Sequence, residues 1–151
     1  MKLSLYSPGS EGTETLAEKI GVRLRGGEVV ELISDLGGGK TTFMRGLVRG
    51  AKSKDVVASP TFTVSKVYAT PDFEIHHFDF YRLPEPGLIE HELEDLVGDP
   101  SIVVAVEWGQ DVRHVLPENR LTLRLLPRGE AERALELECA ATLDYLLEGL
   151  Q

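Results

Sequence analysis

Three consecutive glycines, Gly37, Gly38 and Gly39, followed by Lys40, Thr41 and Thr42, stand between the apolar run EVVELI and the stretch TTFMRGLVRGA. The first run reads as a buried strand and the second as a helix, so the glycines occupy a strand-to-helix turn. This restricts the fold more than any other feature. Glycines at such a turn let successive backbone N–H groups point inward at phosphate oxygens, while the helix that follows presents its positive end. In the pattern G-x-x-x-x-G-K-[ST], Lys40 reaches the β- and γ-phosphates as a charge and the Thr41 hydroxyl is a ligand of Mg2+, with Thr42 beside it. Ser34 stands where the first glycine of that pattern belongs. If the position demands an unusual backbone angle, a serine there costs about 1 kcal/mol, small beside the binding energy of a triphosphate. ATP with Mg2+ is therefore the expected ligand. The competing reading makes the glycines a mere helix-entry turn and Lys40 a surface lysine.

The rest of the chain alternates helical and extended patterns without repeats, which predicts an α/β layer architecture in a single domain over residues 1–151. A short strand is expected at LSLY, then a helix over 13–25 with Leu16, Ile20 and Leu24 on one face. FTVSKVYAT and FEIHHFDFY flank the turn signal Pro71-Asp72 and read as a hairpin. LIEHELEDL reads as a helix, and SIVVAVEW as a strand buried on both faces. LTLRLL and RALELECA alternate apolar and polar residues across PRGE, which predicts an antiparallel pair, and a last helix carries Leu143, Leu146, Leu147 and Leu150. The sheet is expected to be mixed.

Composition limits the function classes. With 42% hydrophobic and 27% charged residues and no long apolar run, the chain reads as a soluble cytoplasmic protein rather than a membrane one. The N-terminal MKLSLYSPGS is too weakly basic and apolar for a secretory signal, and the single Cys139 excludes an internal disulfide and is expected in the core. Acidic residues number 25 against 16 basic, a net charge of −9, so tight direct binding to a nucleic-acid backbone is disfavoured. Arg113, Arg120, Arg124, Arg128 and Arg133 concentrate in the C-terminal third, but Glu118, Glu130 and Glu132 lie among them, the mixture of a solvated strand face.

A phosphate loop needs a carboxylate at a neighbouring strand end to hold Mg2+ or its waters and to orient an attacking water. Asp79 follows FEIHHF and Glu107 follows IVVAV. Glu107 is the stronger candidate, because a carboxylate after five apolar residues is costly to bury unless it meets a cation or lies at the sheet edge where ligands bind. Trp108 packs either on the nucleotide, on a loop or in the core. His76 and His77 are adjacent on a strand and face opposite sides, so together they make no zinc site, and His77 reads as a hydrogen-bonded framework residue.

The segments SDLGGGKTTFMRG, SPTFTVSKVY, HFDFYRL and VEWGQ, in this order and spacing, resemble the bacterial TsaE family, ATPases of the tRNA threonylcarbamoyladenosine pathway. The resemblance spans roughly residues 13–133. It implies a three-layer P-loop NTPase-like fold with a mixed, mainly parallel sheet, binding of ATP and Mg2+, slow hydrolysis alone, and action on two partner proteins, TsaB and TsaD. Those partners install threonylcarbamoyl on the adenosine beside the anticodon of tRNAs reading codons that begin with A, and the nucleotide cycle resets them between turnovers, with tRNA engaged only through the complex.

Carried over by residue, the resemblance assigns Gly37, Gly38, Gly39, Lys40, Thr41 and Thr42 to the phosphate loop, Thr41 and Glu107 to magnesium, and Asp79 to the active site. Thr13 matches a threonine near the nucleotide's base, Ser59, Pro60 and Thr61 match a switch-like loop, and Arg133 is a weaker match. Ser34 and Gly38 depart from the family's glycine and alanine. Two other functions fit a similar loop: a small-metabolite kinase, and a nucleotide-dependent adaptor that does not require hydrolysis.

Overall fold

The computed structural model describes residues 1–35, 39–58, 65–81 and 87–150. Among the described residues seven strands and three α-helices follow in the order β1 (Lys2–Ser7), α1 (Ser10–Gly21), β2 (Val29–Ile33), α2 (Lys40–Gly50), β3 (Ser65–Ala69), β4 (Glu74–Asp79), α3 (Gly87–Leu96), β5 (Ile102–Glu107), β6 (Leu121–Pro127) and β7 (Arg133–Cys139). Two short 3-10 helices cover Gln110–Val115 and Ala141–Leu146. The strands form one sheet in the order β1-β7-β6-β2-β5-β4-β3. Strands β6, β2, β5 and β4 pair in parallel, whereas β3, β7 and β1 each join antiparallel to their neighbour. Hence β1, β6, β2, β5 and β4 run one way and β7 and β3 the other, a mixed and mainly parallel sheet.

The strand patterns explain this order. Every residue of Ile102–Glu107 is buried, as a central parallel strand covered on both faces must be. In β6 and β7, by contrast, Leu121, Leu123, Leu125, Leu135 and Leu137 are buried while Arg124, Glu136 and Glu138 are exposed, the alternation of a sheet with one solvated face. The β3–β4 hairpin closes around Pro71-Asp72, where Thr70 N–H donates to Phe73 O at 3.0 Å. Two apolar layers result. Ala17 and Ile20 of α1 with Phe43, Met44 and Leu47 of α2 cover Val30, Leu32, Val103 and Ala105. On the opposite face Leu93, Val112 and Leu116 cover Val29, Phe78, Val104 and Val106.

Helices α1 and α2 approach at backbone distance. A Cβ built on Gly46 would lie 2.2 Å from Glu14 O, and one on Gly50 would lie 2.2 Å from Glu18 O. Around this crossing Arg45 pairs with Glu14 at 3.0 Å and Arg49 with Glu14 at 3.2 Å and Glu18 at 2.9 Å. The contact fixes the start of α1 beside the start of α2.

Three expectations need correction. The first helix begins at Ser10 and ends at Gly21, three residues earlier than its apolar face suggested at the front, so Thr13 sits in its opening turn. Leu143, Leu146, Leu147 and Leu150 are buried as expected, yet they lie on a 3-10 helix and the turns after it, since spacings of three suit that tighter helix too. Arg113 and Arg120 belong to no solvated strand face: one lies in the first 3-10 helix, the other just ahead of β6, and both pair with Glu31. Cys139 is a free, buried thiol, as its place at the end of an alternating strand implied. Among the described residues no helix is long and apolar enough to cross a membrane.

Candidate functional site

Gly39 opens α2 with φ +102, a left-handed backbone that only glycine adopts without strain, and its carbonyl accepts the first helical bond from Phe43 N–H at 2.9 Å. The helix therefore begins without a side-chain cap, leaving its first amides directed at the space before it. Gly37 and Gly38 lie outside the described residues, as do Ser59, Pro60 and Thr61. Thr41 and Thr42 occupy the first turn of α2 and are half-buried.

Ser34 follows β2, and its position needs no left-handed backbone: among the described residues the non-glycine positive φ values belong to Lys52 and Trp108. Its hydroxyl donates to Asp35 O at 3.0 Å, and its own carbonyl accepts from Lys40 Nζ at 3.3 Å. The main chain at Ser34, not its side chain, is what engages the lysine.

Lys40 is 7% exposed, an unusual depth for an ammonium. Besides the Ser34 carbonyl, it lies 4.2 Å from the centroid of the Trp108 ring. Burial pulls its pKa down, and the carboxylates of Glu107, Asp79 and Asp35 push it back up. Trp108 itself has φ +55, a strained conformation for a bulky residue, and its ring also meets Tyr81 at 5.0 Å between centroids. Trp108 is half-buried and packs against the apolar layer of Phe78, Val104 and Val106, which is the core placement among those open to it, with its ring also facing Lys40.

Asp79 and Glu107 end adjacent parallel strands and stand opposite each other in register. Parallel strands carry both carboxylates to the same sheet edge, where α2 begins, which is the edge at which ligands of open α/β sheets bind. Glu107 is 3% exposed, and its Oε2 is hydrogen-bonded by His77 Nε2. Asp79 accepts Tyr81 N–H at 2.9 Å. Burial raises the Asp79 pKa and nearby Glu107 adds to this, opposed by the Tyr81 amide, His77 and Lys40. Buried Lys40 and Glu107 and half-buried Asp79 are thus brought together as one charge cluster.

A second group forms on the other side of the α2 start. Ser10, Thr13, Gly39, Thr42, Ala131 and Arg133 line a cavity of ≈ 140 Å3. Thr13 is 2% exposed, and its hydroxyl meets Ser7 Oγ at 2.7 Å, while Ser7 Oγ donates to Gly9 O at 2.7 Å. Arg133 reaches this cavity because β7 pairs with β1, which places it across from Ser7, and its Nη1 donates to Glu132 O at 2.8 Å. The weakest of the matched positions therefore shares a wall with Thr13 and Thr42.

Two buried polar groups carry more than the sequence reading gave them. Glu31, 1% exposed in the middle of β2, takes Arg113 through Nη2 at 2.9 Å and Arg120 through Nε at 3.2 Å. This ties the segment after Trp108 to the strand that leads into the glycine loop. The signal was present, since a glutamate inside VVELI demands cations from elsewhere. His77 is wholly buried on Glu107, whereas His76 turns to Glu74 at 3.2 Å, so the two rings serve different partners.

The chain as a whole is similar to known proteins in sequence and in fold. The family described as threonylcarbamoyl adenosine biosynthesis protein TsaE matches residues 7–135. A tRNA threonylcarbamoyladenosine biosynthesis protein TsaE from Bacillus subtilis is 35% identical over 127 residues, spanning 82% of this chain and 77% of its own. One from Streptomyces coelicolor is 40% identical over 115 residues, or 73% and 76% of the two chains. A crystal structure of Bacillus subtilis YdiB superposes with a TM-score of 0.80 at 29% identity, covering 99% of this chain and 94% of that one.

Proposed function

This chain belongs to the TsaE family, and from that premise we propose that it is an ATPase that binds ATP with Mg2+ and acts on a TsaB–TsaD complex during threonylcarbamoylation of the adenosine next to the anticodon. The observation that carries this reading is the meeting of three parts at one sheet edge: the left-handed Gly39 opening α2, the buried Lys40, and the paired strand ends bearing Asp79 and Glu107.

The donor set suits the proposed ligands. Mg2+ takes oxygen ligands and few of them from protein, and Thr41 and Glu107 offer a hydroxyl and a carboxylate oxygen. When bound, the ion supplies charge neutralisation across the terminal phosphates. The amides of Gly37 to Gly39 and the start of α2 grip the polyphosphate, and Lys40 exchanges the Ser34 carbonyl and the Trp108 face for phosphate oxygens. Asp79 or Glu107 orients the attacking water, which needs positioning more than strong base chemistry. The cavity of Thr13, Thr42 and Arg133 receives the nucleoside end. The cytoplasm is the expected compartment, and the charge of −9 fits a protein that reaches tRNA only through its partners.

Reconstitution with TsaB, TsaD, threonylcarbamoyl-adenylate and tRNA tests the whole reading. Multiple turnovers are expected only with this chain and ATP present. Glu107→Gln is expected to retain ATP binding, lose about 10²-fold or more in phosphate release, and permit a single turnover. Repeated turnover at the normal rate with that variant would instead make the protein an adaptor that needs occupancy alone, and transfer of the γ-phosphate to a small metabolite would make it a kinase.

A further inference from the structure

We propose that His77 is the residue that positions Glu107 for the nucleotide site, holding the carboxylate by Oε2 and leaving Oε1 as the oxygen offered to a hard cation. The inference rests on the ATP and Mg2+ reading above. Its basis is a contact between two side chains that water scarcely reaches, with exposures of 0% for His77 and 4% for Glu107.

The strand register brings the pair about. His77 stands opposite Ala105 in the parallel pairing of β4 with β5, and Asp79 stands opposite Glu107. Ala105 is small and fully buried, so the imidazole leans over it towards Glu107, two residues further along β5. Tyr68 on β3 packs at the other side of the ring, 6.4 Å between centroids, and its hydroxyl donates to Ala58 O at 3.2 Å. The ring thereby lies between β3 and β5, and among the described residues its polar partner is the carboxylate.

Hydrogen-bond bookkeeping then assigns the tautomer. Among the described residues His77 Nδ1 is buried without a partner. A neutral imidazole has one donor and one acceptor nitrogen, and a hydrogen on Nδ1 would be a buried donor with no acceptor. The hydrogen therefore resides on Nε2, which donates to Glu107 Oε2. Among the described residues no other donor hydrogen-bonds this carboxylate, and Oε1 stays open.

The arrangement has a consequence for metal binding. A glutamate at a strand end has three side-chain torsions, and ordering them only when the ligand arrives would draw on the binding energy. A buried donor on one oxygen settles the rotamer beforehand, and a partner of this kind is worth 10–100-fold in metal affinity. Helix α2, which Lys40 opens, packs on the face of the sheet that carries Ala105, so Glu107, two residues further along β5, belongs to the polyphosphate side of the cluster.

The test uses the full chain with His77→Leu, which removes the donor, and His77→Gln, whose amide nitrogen reaches about as far as Nε2. The wild type is assayed first for ATP binding by calorimetry and for phosphate release. Failure of both removes the ATPase reading itself, before His77 enters. With an active wild type, His77→Leu is expected to raise the Mg2+ concentration for half-maximal phosphate release by about tenfold or more. Its ATP affinity in EDTA should stay within about twofold, and His77→Gln should restore most of the Mg2+ response. An unchanged Mg2+ requirement in His77→Leu overturns the proposal, as does a parallel loss of metal-free ATP affinity and melting temperature in both variants, the mark of a purely structural histidine. A measurement on the unsubstituted protein stands independent of whether either variant folds. Nitrogen-15 NMR of labelled histidine should show His77 with its hydrogen on Nε2, unchanged on adding Mg2+ and ATP, and a hydrogen on Nδ1 refutes the assignment.

Discussion

The Lys40 ammonium lies 4.2 Å from the centre of the Trp108 ring and 3.3 Å from the Ser34 carbonyl. Both are weak holds for a buried cation, since a ring face and one neutral oxygen replace the several waters an ammonium would keep. The lysine is thus retained near the glycine turn by short-range contacts that, on the proposed reading, an anionic ligand replaces.

That relationship makes the only tryptophan of the chain a reporter. Addition of ATP with Mg2+ should change Trp108 emission as Lys40 leaves the ring, saturably, with a midpoint that matches calorimetry. Lys40→Met should give neither the emission change nor binding. A full spectral response in Lys40→Met would break the link between the two residues.

Ser34→Gly is expected to leave ATP affinity equal to the wild type or up to about threefold tighter. Lys40 contacts the main-chain oxygen at this position, and the backbone there is not left-handed, so the glycine gains little and loses only the hydroxyl bond to Asp35. A tenfold loss in a calorimetric titration would assign the serine a role beyond its carbonyl.

Alanine in place of glycine inside a helix ordinarily stabilises by about 1 kcal/mol. Gly46→Ala should do the opposite here, because the new methyl would lie 2.2 Å from Glu14 O and 2.8 Å from the Ala17 Cβ. Separating α1 from α2 should cost about 1–3 kcal/mol. Urea unfolding should show a lowered midpoint, and ATP affinity should fall too, since the crossing sets Thr13 beside the α2 start. A midpoint above wild type would mean the helices have slack.

The charge clamp at the same crossing predicts a pH dependence. Arg45 first, and then Arg49, hold the Glu14 carboxyl below its ordinary pKa. A depressed carboxylate contributes stability that is present above its unfolded value of 4.5 and is lost as pH falls through the lower folded value. Glu14→Gln should therefore lower the melting temperature at pH 7, by an amount corresponding to at most about 1 kcal/mol given the exposed arginines. The difference should vanish under acidic conditions below the folded value. Equal differences at pH 7 and in that acidic range would show a packing effect instead of a charge effect.

Much of the fold was legible because it follows from local chemistry. The apolar run Ile102–Val106 can only be a doubly covered strand, Pro71-Asp72 turns the β3–β4 hairpin, and the glycines before Lys40 join β2 to α2. Less legible were the features that depend on partners distant in the chain. Glu31 reads as a flaw in a strand until Arg113 and Arg120, 82 and 89 residues away, fold onto it. The last leucines fit an α-helix and a 3-10 helix equally, and packing chose the latter.

By itself the chain of residues determined its family, its strand-and-helix alternation and which groups are proposed for phosphate binding, because those depend on residue type and short spacing. Only the tertiary structure decided that Lys40 meets Trp108, that Arg133 shares a cavity with Thr13, and that His77 grips Glu107. Each of those pairs is made by strand register or by the close crossing of two helices. Neither is encoded in local spacing, and both emerge when burial forces distant polar groups to find one another.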